Sequence, residues 1–546
     1  MSADIRAATN QPPPLVGHNV VTSDRVLVEA VTRHGSEAVV ADLVDLGALA
    51  GSAQAREHGM AANRHAPQLR CYDRYGNRVD EVDFHPSWHW LMTRGVGFGL
   101  QAAPWTCDAP HPHLRRAAGF LAWSQVEPGH GCPLSMTYAA VPALRVDEAL
   151  AKEWTPRLAS TTYDFGLRPV ELKAGALAGM GMTEKQGGSD VRVNVTAATP
   201  TAVEGEYTLD GHKWFTSAPM NDVFLVLAQA ADGLTCFLLP RVLPDGSRNR
   251  FDVVRLKDKL GNRSNASAEL ELRGTWARRL GDEGRGVRTI IEMVAATRLD
   301  CALGSAALMR RAVAEASWHV AHRSAFGGPL GDKPLMRNVV ADLAVESEAA
   351  TTLALRLAAA VDRPDDPHEA ALRRIGLPLA KFWVCKRAPT MVAEALECLG
   401  GNGYVEDSAM PLLFRESPLN SVWEGSGNVN ALDVLRALTR EPQALEAWLV
   451  EVGQAHGEDA RLDRAVESVL ESLADTADLE SGARRLAGRM AACLQGALLV
   501  RHAPAAVADA FCATRLGTEY GGTLGTLPRG TDLATIIERT TPTIAG

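Results

Sequence analysis

A chain of 546 residues, 46% hydrophobic and 22% charged, has the balance of a globular protein with room for three or four domains and sizeable cores. Its 56 Lys and Arg against 65 Asp and Glu leave a formal charge of -9, which excludes a global attraction for nucleic acid, so any DNA contact must come from a local patch. Nine cysteines without a close C-x-x-C pair suggest neither a disulfide framework nor a zinc site and fit a reduced, cytoplasmic setting, and no apolar run is long enough to cross a bilayer.

Up to about residue 178, apolar residues recur at three- and four-residue spacing, as in 24–38 and 139–150, with aromatic and Pro-rich joints at 84–90 and 104–112. This predicts an N-terminal helical domain over 1–178. From Val191 the period becomes two: Val191, Val193 and Val195 alternate with Arg192 and Asn194, Asp210-Gly211 reads as a turn, and Ala268, Leu270 and Leu272 alternate with Glu269 and Glu271. A central β-domain over 179–280 follows. Helical periodicity resumes at 290–318, 335–361 and 375–399, with a Pro-Asp-Asp-Pro break at 364–367, which predicts an antiparallel helix bundle over 281–440. The stretch 441–546 is again mostly helical and has no lysine, an extra helical tail. The fold class is α+β, mainly α.

The run Gly181-Met182-Thr183-Glu184-Lys185-Gln186-Gly187-Gly188-Ser189-Asp190 is answered by Gly211-His212-Lys213-Trp214-Phe215-Thr216. Glycines let a backbone approach a ligand closely, Thr183, Ser189 and Thr216 offer hydroxyls, and Trp214 offers a flat wall, as a planar ring with a pyrophosphate tail requires. Taken alone, Trp214 reads more often as a core aromatic of the β-domain; its pairing with Thr216 beyond the Thr183 block turns the reading toward the flat wall. Further on stand Gly400-Gly401-Asn402-Gly403-Tyr404, which alone is a turn needing positive φ, and Trp423-Glu424-Gly425-Ser426, with Ser426 placed to cap a helix over 429–438.

These four blocks, in this order, resemble the flavin-dependent acyl-CoA dehydrogenases over roughly 60–440. Within that family, Lys257-Asp258-Lys259-Leu260-Gly261-Asn262-Arg263-Ser264-Asn265-Ala266-Ser267, the Glu-Lys-Gln variant of the first block and both terminal extensions are similar to the AidB-like branch of the bacterial alkylation response. The resemblance implies FAD in a groove between the β-domain and the bundle. Its cofactor-binding residues would be Met182, Thr183, Gly188, Ser189, Trp214, Phe215 and Thr216, with Gly400, Gly401, Trp423, Gly425, Ser426 and Asn428. Arg323 and Phe326 would reach the nucleotide from a neighbouring subunit, which implies a homotetramer.

Glu424 is the implied catalytic base, taking the proton next to the thioester of a short or branched, isovaleryl-like acyl-CoA, with an electron acceptor as second partner. The other position at which some members carry the base aligns with Thr297, which cannot serve. Arg436 could pair with Glu424, while Leu335-Met336-Arg337 stands where the family usually has glutamine and Glu397 replaces the glutamine before Gly400-Gly401. Alone, Glu424 reads as a favourable charge near a helix start.

The AidB-like resemblance also implies a double-stranded DNA site on the tail, with dehydrogenation incidental. Residues 441–546 hold nine arginines against fifteen acidic residues, or -6, and only 481–508 is purely basic, through Arg484, Arg485, Arg489 and Arg501. Their spacing makes a poor stripe on a helix, and arginines beside Leu486, Met490 and Leu494 are more often a solvated helix flank than a nucleic-acid site.

Overall fold

The computed structural model describes residues 10–474, 479–518 and 521–544, and the chain divides into two compact units, one formed by 1–56 with 301–546 and the other by 57–300. The stretch 1–178 is therefore shared between units.

In the unit 57–300, helices Pro112–Ser124 and Gly131–Leu144 are buried on most faces, whereas Glu148–Leu158 buries one face through Leu150, Trp154 and Leu158; the last two helices join Ala178, Val223, Leu225 and Leu238 of the β-domain in one apolar core. The seven strands are Ala178–Gly181, Ala197–Pro200, Glu206–Ser217, Val223–Ala230, Gly233–Pro240, Asp252–Leu256 and Ser267–Leu280. The ladder closes on itself, because Gly233–Pro240 pairs antiparallel with both Val223–Ala230 and the end of Ser267–Leu280. Closure removes most of the edges along which sheets aggregate.

Three details depart from the sequence expectations. Val191–Val193 is a 3-10 turn, not a strand, because the Asp190 carboxylate accepts from the Arg192 amide, and Val193 and Val195 are exposed. Asp210-Gly211 is not a turn: it lies inside Glu206–Ser217 at a bulge, and a Cβ at Gly211 would stand 2.5 Å from Thr196 Oγ1. The first helical stretch contains an antiparallel hairpin, Gln68–Tyr72 with Arg78–Asp83, closed by Asp73 Oδ1 accepting from the amides of Tyr75 and Asn77. Its half-exposed strands give no apolar alternation to read.

In the other unit, Arg25–His34 is capped by Asp24, whose carboxylate accepts from the Leu27 amide. The long helices Pro334–Val361 and Pro367–Cys398 pack together and receive Gly427–Arg440, Pro442–Gly453 and Leu479–His502. Pro334–Val361 is buried all round from Val340 to Ala360 although it carries Asp342, Glu346, Glu348 and Arg356. Buried charges need partners. Arg515 of the tail meets Asp342 at 2.6 Å and Glu346 at 2.9 Å, Arg539 meets Glu348 at 2.9 Å, and Arg356 meets the tail's Glu451 at 2.9 Å. The tail is thus docked by ion pairs with arginine on one side of each. Among the described residues no single helix is long and apolar enough to cross a membrane.

Candidate active site

In the β-domain the glycine-rich loop and the Lys213-to-Thr216 segment are locked together by one buried carboxylate. Glu184 Oε1 accepts from Lys213 Nζ at 2.6 Å and from Thr196 Oγ1 at 2.6 Å, while Oε2 accepts from the Val195 amide at 2.7 Å. Lys213 also donates to Leu227 O at 2.7 Å. Burial pushes the Glu184 carboxyl up, but Lys213 and the neutral donors outweigh it and hold the group at about 2. Two further links join the same segments: the Trp214 amide donates to Thr183 O at 2.8 Å, and the Lys185 amide to the His212 side chain at Nε2, 3.0 Å away.

The lock sets the predicted residues in order. Gly188 lies so close to Thr183 that a Cβ would fall 2.5 Å from its hydroxyl oxygen. Ser189 is exposed on the same loop, Asn194 Nδ2 donates to Met182 O at 2.9 Å, and Phe215 is 51% exposed. The Lys257 ammonium stands over the Trp214 ring, 3.5 Å from its centroid, a cation–π contact. Thr216 is fully buried, and its Oγ1 has no hydrogen-bond partner among the described residues. A buried hydroxyl without a partner is a costly feature that ligand sites explain well.

In the other unit, Glu424 has φ 56° and Gly425 φ 89°, so the chain reverses through two left-handed residues just before the helix Gly427–Arg440. The loop is tied on several sides. Lys381 Nζ donates to Trp423 O at 2.8 Å and Gly425 O at 2.7 Å, Asn430 Nδ2 to Gly425 O at 2.7 Å, and Trp423 Nε1 to Asn420 Oδ1 at 2.9 Å. Ser426 occupies the cap position, but its side chain makes no capping bond, and the helix begins two residues before the predicted 429.

The remaining predicted residues separate into groups. Gly400, at φ 57°, and Gly401 have open space where a Cβ would be, and Glu397 is exposed. Arg323 precedes a two-strand hairpin, Ser324–Ala325 with Gly328–Pro329, whose turn places Phe326 at φ 51° and 91% exposed. Thr297 is buried with its hydroxyl donating to Val294 O, and Arg436 is exposed.

Arg484, Arg485 and Arg489 are exposed on Leu479–His502, but Arg484 donates to Asn428 Oδ1 at 3.0 Å and Arg489 to Ser468, while Arg501 lies 3.6 Å from Glu451. One residue expected at the cofactor and one expected at DNA are thus hydrogen-bonded to each other. The sequence reading assigned no role to Lys381, Asn420 or Asn430, nor to the Glu184–Lys213 pair; a lysine and asparagines inside otherwise apolar helical periodicity were the available signal.

Comparison with known proteins identifies the family. Residues 10–165 match the N-terminal domain of the adaptive response protein AidB, 179–275 the acyl-CoA dehydrogenase middle domain, and 284–439 the acyl-CoA dehydrogenase C-terminal domain. The putative acyl-CoA dehydrogenase AidB of Escherichia coli is 46% identical over 94% of each chain. Acyl-CoA dehydrogenase family member 11 of Caenorhabditis elegans is 33% identical over 89% of this chain and 84% of its own. The crystal structure of Caenorhabditis elegans ACDH-11 in complex with C11-CoA superposes with TM-score 0.82 at 29% identity, covering 98% of this chain and 93% of that one. The chain belongs to the acyl-CoA dehydrogenase family of flavoproteins and carries the AidB-type N-terminal domain.

Proposed function

We propose that the protein is an FAD-dependent acyl-CoA dehydrogenase that converts a short or branched, isovaleryl-like acyl-CoA to its 2,3-enoyl product, with Glu424 as the base. The observation that carries this reading is a carboxylate held at φ 56° on a loop tied from both sides. A left-handed non-glycine residue costs on the order of 1–3 kcal/mol and persists where the surroundings impose it, which is typical of reacting sites.

Glu424 removes the proton from the carbon next to the thioester, and Trp423 beside it offers an apolar wall against water. Bound FAD supplies the acceptor for the hydride leaving the neighbouring carbon. Thr216, whose buried hydroxyl has no partner among the described residues, and the flat ring of Trp214 suit that group. A separate electron acceptor reoxidises the protein. A homotetramer fits the exposed Phe326 tip beside Arg323. The relative solved with C11-CoA supports an acyl-CoA ligand.

The test is anaerobic mixing of the yellow protein with acyl-CoAs from short branched chains to C11. Bleaching is expected, and Glu424→Gln should slow it by about 10²–10⁴-fold while FAD stays bound. Undiminished bleaching by the variant, or a protein that cannot be reconstituted with FAD, refutes the reading. The alternative, an AidB-like flavoprotein on double-stranded DNA with incidental dehydrogenation, rests on the tail arginines and is separated by the salt dependence of DNA binding.

A further inference from the structure

We infer that Lys381 is the positioning residue that holds Glu424 in its left-handed conformation, by drawing the main-chain carbonyls on either side of it onto one ammonium group. Lys381 lies in the interior of the helix Pro367–Cys398 and is 1% exposed. A buried ammonium is usually matched with a carboxylate. Here the ammonium donates to two carbonyls, Trp423 O at 2.8 Å and Gly425 O at 2.7 Å, which flank Glu424.

The distances constrain the backbone between them. Two oxygens bound to one nitrogen at 2.8 and 2.7 Å are no more than about 5.5 Å apart. Carbonyls two residues apart in an extended strand are separated by roughly 6.6 Å, at about 3.3 Å of rise per residue. The segment cannot stay extended and satisfy both bonds, and the positive φ of Glu424 and Gly425 supplies the contraction. Gly425 is well suited to that conformation and Glu424 is not, so the charge-assisted bonds offset the strain.

The other ties act elsewhere on the loop. Asn430 Nδ2 reaches only the C-terminal side, at Gly425 O and Ser426 O, while Asn420, whose Nδ2 donates to Ser305 Oγ at 3.2 Å, accepts from the Trp423 indole. Among these contacts Lys381 alone spans Glu424, so it can set where the carboxylate points without touching substrate.

The inference rests on the proposed role of Glu424, and the experiment has a readout independent of it. Lys381→Met nearly conserves side-chain length while removing the ammonium. Hydrogen exchange of the full-length protein should quicken by at least about tenfold at amides 423–427 and stay unchanged in Arg25–His34. The limiting rate of bleaching should fall by about 10–100-fold with acyl-CoA affinity altered less than about threefold, the pattern of a displaced base. Lys381→Gln, which keeps one short donor, should fall between the two and serves if Lys381→Met does not fold.

Unchanged exchange at 423–427 in either folded variant overturns the inference, as does a loss confined to affinity. A wild-type protein that no acyl-CoA bleaches removes the proposed activity and leaves the exchange comparison to decide the role of Lys381.

Discussion

Lys213→Met should be among the most damaging single changes in the β-domain. The variant strands Glu184, whose side chain and that of Lys213 are both fully buried at 2.6 Å from each other. The drop of that carboxyl from its ordinary 4.5 to about 2 corresponds to about 3 kcal/mol, in line with the roughly 3–5 kcal/mol lost when one partner of a buried pair is removed. For a unit of this size that is about 6–12 °C in melting temperature.

The assay is paired chemical and thermal denaturation of wild type, Lys213→Met, Glu184→Gln and the double variant. The double variant should recover much of the loss, since a neutral pair leaves no stranded charge. The sign of the pH dependence follows from a depressed carboxyl: its stabilisation is fully present above about 4.5 and is lost as pH falls toward 2, so the gap between wild type and Lys213→Met should narrow in acid. A loss under about 1 kcal/mol, or a double variant no better than the single, refutes the claim that this pair locks the two blocks.

Burial pushes Glu346 up, but Arg387 of the bundle and Arg515 of the tail together hold it at about 2, so the share of tail docking that runs through Arg515 should be fully present above about pH 4.5 and lost progressively toward pH 2; limited proteolysis of the tail across that range measures it. Gly211→Ala should destabilise the β-domain by about 1–3 kcal/mol by thermal melt, because the added methyl meets Thr196. If the tail arginines bind duplex DNA, about four phosphate contacts give a logarithmic salt slope near -3.6, and changing Arg485 and Arg489 to alanine should flatten it by about 1.8. An unaltered slope in that variant places any DNA site elsewhere.

The long helices were legible because apolar spacing over many residues leaves little ambiguity, and 334–361 and 367–398 appear close to where the periodicity and the Pro-Asp-Asp-Pro break put them. Short elements were not. Val191, Val193 and Val195 alternate like a strand, yet a local side-chain cap at Asp190 decides the backbone there, and alternation cannot register it. The hairpin at 68–83 buries too little to leave a pattern. At the candidate site the motif residues could be named from the chain, but their supports could not. Lys381 lies 43 residues before Glu424, and only the fold shows that its ammonium meets that loop.

The absence of lysine from the tail has a chemical consequence for a protein that handles activated thioesters. Free amines are slowly acylated by such compounds, and the modification erases a lysine's charge. Guanidinium groups stay protonated and escape that reaction. The ion pairs that dock the tail, made by Arg515, Arg539 and Arg356, would therefore survive exposure to an acyl-CoA that acylates lysines. The attachment of the tail is built from a cation that acylation cannot neutralise.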